Sequence, residues 1–172
     1  MWHIIIERLL LPVNLILGTV VFSLVYRIYL RPRISSLDPR QVLTPILLLN
    51  SMRHLGLMFL APGATAPGIP PDFAVPAAVG DLVTAILALI ALYSLRRNLP
   101  ATPVLVGLFN IVGFTDLLSA ITLASIFNAP AFMGAAYWIP AFWVPLLLVT
   151  HGAVFVLLSR NAFGRSASSP SY

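Results

Sequence analysis

Two histidines, two aspartates and an arginine fall inside apolar runs long enough to cross a bilayer: His54, His151, Asp81, Asp116 and Arg53. A charged side chain at the centre of a membrane helix costs about 3 kcal/mol or more unless it is paired or hydrated, so each is a functional-site candidate by default. Asn50 precedes Arg53 and His54 by three and four residues, which sets all three on one helical face. Asn110, Gly113 and Asp116 descend another run in steps of three. Gly80-Asp81 stands above the small residues Thr84, Ala85 and Ala88, and His151 is followed by Gly152. The candidate substrate- or ion-binding set is therefore Asn50, Arg53, His54, Asp81, Asn110, Asp116 and His151.

Arginine stays protonated in proteins and must find an anion. Asp81 and Asp116 are the acids at compatible depth. One bidentate pair would satisfy Arg53 and leave the second carboxylate to hold a histidine, an asparagine, a cation or a proton. Asp/His sets inside helical bundles are what proton relays and coupled carriers use, so the first expectation is proton- or ion-linked transport or permeation. A second is a redox or metal protein. His54 and His151 would then ligate a b-type haem, with Gly56, Gly113 and Gly152 giving it room, or join the aspartates around a divalent metal. A third is a non-catalytic accessory subunit whose buried charges pair with a partner's helices. Against all three stands a structural clamp, with histidines as packing residues; polar contacts between membrane helices average about 0.6 kcal/mol. His-Glu-x-x-His, a Walker loop, a dinucleotide glycine fingerprint and lipidation signals are all missing, so enzyme chemistry is not favoured. The absence of cysteine rules out disulfides, thiolate zinc sites and iron–sulfur clusters.

The elements that must position this set are helices in lipid. Of 172 residues, 59% are hydrophobic and 9% charged, against about 25% charged in a soluble domain. A span needs about 20 apolar residues, and five segments qualify: 9–30, 41–61, 77–95, 102–127 and 138–159. The expected fold is an all-α integral membrane protein, a five-transmembrane-helix bundle forming one domain over 1–160, followed by a disordered cytoplasmic tail over 161–172. Net charge is +5 and every basic residue other than histidine is arginine. Because the arginines flank apolar spans, they read as topology signals and not as a nucleic-acid surface. With five spans, Arg27, Arg31, Arg33, Arg40, Arg96, Arg97, Arg160 and Arg165 share one side, while Arg8 takes the other and Arg53 lies within. That side is cytoplasmic by the positive-inside rule, which puts the amino terminus outside. The first run reads as a retained span, since it lacks a basic n-region and a small-residue cleavage site. All seven candidates then lie within about 15 Å of depth, biased outward. The proline-rich segment 62–76 is expected to be non-helical, either a plain connection or a lid over the outer mouth. Pro145 should kink the fifth span, and Asn14 should make a structural helix–helix contact. Five spans are few for a carrier, so a homo-oligomer or a larger membrane complex is expected.

Several of these segments together, Arg53-His54-Leu55-Gly56, Phe73-Ala74 with Gly80-Asp81, Phe109-Asn110 with Gly113 and Asp116-Leu117, and Ile139-Pro140 with Val144-Pro145 and His151, carry a resemblance. Over roughly residues 45–155 the chain resembles a group of small uncharacterised bacterial integral membrane proteins. The resemblance implies a multi-pass protein of the bacterial inner membrane, and it implies no activity, cofactor or catalytic residue.

Overall fold

The computed structural model describes residues 2–34 and 36–160, with side chains from Leu9 onward; the tail expected to be disordered lies outside the described residues. The described chain is helical and without strands. Helix α1 spans Trp2–Val25 and continues through a π turn, Tyr26–Leu30. Helix α2, Pro39–Ser51, starts on Asp38, whose carboxylate accepts from the Arg40 amide, and tightens into a 3₁₀ segment, Met52–Leu60. Helix α3 covers Pro71–Arg97 and stops where Asn98 turns left-handed. Helix α4 covers Thr102–Ile126. Two short 3₁₀ turns, Ala129–Phe132 and Gly134–Tyr137, and a π turn, Ile139–Trp143, lead into α5, Val144–Ser159. Five helical stretches are long and apolar enough to cross a membrane: Leu9–Leu30, Pro39–Leu60, Pro71–Arg97, Thr102–Ile126 and Gly134–Ser159.

These five stretches fall at the segments expected from the sequence, with one correction at the third. Its helix begins at Pro71, so the last six residues of the segment expected to be non-helical are its first turns. Proline is tolerated there because the first turn of a helix has no intrahelical partner for its N–H groups. What remains of the connection does fold back: the Ala66 amide donates to Phe132 O at 2.8 Å and the Ala136 amide to Ala64 O at 3.0 Å, tying it to the 129–137 turns. Just ahead of Pro145, where a kink is expected, the helix takes a π turn over Ile139–Trp143.

Two apolar clusters hold the bundle. One joins Leu43, Leu47, Ala91, Val106 and Val154, and the other Leu11, Phe73, Ala124, Met133 and Ile139. The first lies at the ends of α1, α3 and α5 and the starts of α2 and α4, so successive helices alternate in direction. Arg27, Arg31, Arg33, Arg40, Arg96, Arg97 and Arg160 are exposed at that same end. Helix α1 leans on α5 and the π turn before it. There Gly18 seats against the Pro145 ring, and Asn14 Nδ2 donates to the Tyr137 hydroxyl at 3.1 Å. The polar candidates fall between the two clusters.

Candidate functional site

Arg53 is the centre of the site. The 3₁₀ segment of the second span aims it inward, where it is 1% exposed. Its Nε donates to Asp81 Oδ1 on α3 at 2.7 Å, and one terminal nitrogen donates to Asp116 Oδ2 on α4 at 2.5 Å. The other terminal nitrogen donates to the Gly113 carbonyl at 3.0 Å and faces His151 Nε2 on α5 at 3.4 Å. Four of the five guanidinium N–H groups thus have partners on three helices. The expectation of one bidentate aspartate is corrected: the planar fork is divided between both. A helix leaves its Gly113 carbonyl a second lone pair, which is why backbone joins this set.

Glycines make the approach possible. A Cβ on Gly56 would collide with the Asp81 carboxyl, and one on Gly80 with the Asp116 carboxyl. A Cβ on Gly113 would lie 2.5 Å from His151 Cε1 and 2.7 Å from Thr84 Cγ2. Thr84, fully buried, donates to the Gly80 carbonyl at 2.9 Å. These roles could have been read from Gly followed at once by Asp in the third span, and from Gly three residues before Asp in the fourth.

The His151 tautomer follows from its neighbours. Arg53 can only donate, so Nε2 accepts, and the ring proton on Nδ1 is donated to Asn110 Oδ1 at 2.8 Å. Asn110 Nδ2 returns a bond to the His151 carbonyl at 3.3 Å. Asn50 is fully buried one turn below Arg53 but serves the helices instead, donating to Ile46 O at 2.9 Å and reaching Thr150 Oγ1 at 3.4 Å. Thr150, beside His151 in sequence, was not among the expected residues.

His54 does not join the site. Its ring is exposed on the opposite side of the segment, with Nδ1 3.0 Å from the Ser51 carbonyl. The cause is the change of helix type at Met52: a 3₁₀ step turns about 120°, against about 100° in an α-helix, and carries His54 further round. A bis-histidine haem does not fit these residues, because His54 and His151 face different spaces and both ring nitrogens of His151 are engaged. The room expected beside Gly56 and Gly113 is filled by Asp81, His151 and Thr84. Among the described residues no three His, Cys, Asp or Glu side chains converge as metal ligands.

The site has one cation for two carboxylates. Arg53's side chain is fully enclosed, whereas those of Asp81 and Asp116 are 14% and 16% exposed. Asp81 also borders a cavity of about 30 Å³, in which every other lining residue is apolar, Leu15, Phe73, Leu117 and Ile139 among them. That volume suits about one water-sized group.

Fold and site together define a helical bundle with five segments of membrane-spanning length, closed round an arginine shared by two aspartates. By sequence, residues 10–159 match the family described as Domain of unknown function (DUF8737), and the chain belongs to it. No curated protein and no solved structure matches the chain.

Proposed function

We propose that this chain is a multi-pass protein of the bacterial inner membrane that binds a proton or small cation at the Asp81/Asp116 pair and moves it across the bilayer, linked to a substrate. The observation that carries the reading is the division of one guanidinium between two carboxylates. With both ionised, the cluster holds one uncompensated negative charge, and in a low-dielectric interior such a charge takes up a proton or a cation. Partial exposure of both aspartates beside a fully enclosed arginine gives the exchanging species access to the acids only. The arginine-rich end faces the cytoplasm and the 61–70 and 129–137 connections face outward, consistent with the charge bias of cytoplasmic flanks. Five spans leave a short pathway, and a second copy or a partner completes it.

Proton uptake into proteoliposomes under an imposed potential tests this. The native chain should acidify or alkalinise the lumen faster than protein-free vesicles, and Asp81→Asn and Asp116→Asn should return the rate to the protein-free level while still inserting. Native uptake no faster than that of empty vesicles, or native rates in both variants, would overturn the reading.

A further inference from the structure

The cavity beside Asp81 shares part of its wall with a second space. A groove of about 330 Å³ opens on the surface between α1 and α4, near Asn128 and Pro130. Among the described residues, Leu11, Leu15, Ile121 and Ala124 line both the groove and the cavity, so these four side chains lie between the surface and the space at Asp81. The gap exists because α1 rests on α5 and on the turns before it, and barely meets α4. Its long outer face, Leu9, Val13, Ile16, Val20 and Leu24, is exposed and apolar, so the groove opens sideways into lipid.

The walls select a chemistry. Seven of the nine side chains along the groove are apolar, Ser125 and Asn128 with exposed backbone supply a polar share, and the one acidic residue bordering the cavity beyond is Asp81. Asp81 Oδ1 is held by Arg53, while the pair as a whole is one positive charge short. An apolar chain ending in a compact cation matches this succession, and about 30 Å³ admits an ammonium head but not a trimethylated one.

We propose that the α1–α4 groove is a lateral portal through which a membrane-dissolved primary alkylammonium reaches Asp81, its chain lying in the groove and its head in the cavity. The proposal rests on the reading of Asp81 as half of an under-neutralised pair, and adds a substrate class and a route. Charge-assisted hydrogen bonds are worth about 1.5–3 kcal/mol, so loss of the carboxylate should weaken occupancy about tenfold or more.

The test is photo-crosslinking with octylamine carrying a diazirine at its chain end, using the full chain in lipid nanodiscs. Adducts should concentrate on the segments 11–15 and 121–128. Unlabelled octylamine should suppress them and octyltrimethylammonium should not. Asp81→Asn should lower the yield about tenfold or more, as should Ser125→Trp, at a position that lines the groove and not the cavity beside Asp81. Adducts spread evenly over lipid-facing helices, equal competition by the trimethylated amine, or native yield in both variants would overturn the portal. Proton uptake lost in Asp81→Asn without portal labelling would leave the transport reading standing and this one fallen. Portal labelling without proton uptake would do the reverse.

Discussion

At the scale of single residues, Arg53 decides whether the bundle is held by an ordinary polar contact or by something larger. An average hydrogen bond between membrane helices contributes about 0.6 kcal/mol, whereas removing one partner of a buried ion pair costs about 3–5 kcal/mol because a charge is left alone. Arg53→Met strands two carboxylates, so reversible unfolding in mixed micelles should show the larger loss. Arg53→Lys should fall between, since one compact ammonium cannot reach acceptors on three helices as a planar fork does. Adding Asp81→Asn and Asp116→Asn to Arg53→Met should recover most of the loss. A loss within about 1 kcal/mol for Arg53→Met alone would reduce the cluster to ordinary interhelical glue. The sequence pointed to Arg53 and both aspartates because charges in apolar runs are conspicuous. It could not say that the fork would be split, because that depends on how closely α3 and α4 approach.

Elements bring those residues together, and glycine sets how near they come. Gly56 and Gly80 each face a carboxyl group from a neighbouring helix, whereas Gly107 and Gly152 face open space. Gly80→Ala and Gly56→Ala should therefore destabilise the protein by about 1–3 kcal/mol through overpacking. Gly107→Ala and Gly152→Ala should leave it unchanged or gain up to about 1 kcal/mol from helix propensity. Melting temperatures of the four variants give the comparison; a common direction for all four would mean that close approach is not what these positions supply. Hydropathy made the helices legible, since a long apolar run has few alternatives. Two local features escaped it. The switch to 3₁₀ geometry at Met52 leaves no compositional trace, so the i+4 rule placed His54 beside Asn50 and Arg53 when it turns outward. The prolines at 71 and 76 read as breakers, although a helix start accommodates the first and the second removes only one early bond.

For the whole molecule, the proposed orientation can be checked directly because the chain has no cysteine of its own. Ala101→Cys lies at the arginine-rich end, and Ala135→Cys in the opposite connections, both exposed. A membrane-impermeant maleimide added to intact cells should label Ala135→Cys and spare Ala101→Cys; the reverse pattern would invert the topology. Charge bias carries the proposed orientation, whereas the side-by-side order of the helices was not legible in the sequence, because similar apolar faces can pair in many ways. That order places α1 against α5, with Asn14 meeting a tyrosine 123 positions further along. In a chain made from its amino-terminal end, α1 is synthesised before the helix it packs against. Among the described residues, helices α3 to α5 supply the partners of Arg53 without α1. The ion cluster therefore does not depend on α1, whose own seat is complete only when the last of the five helices is in place.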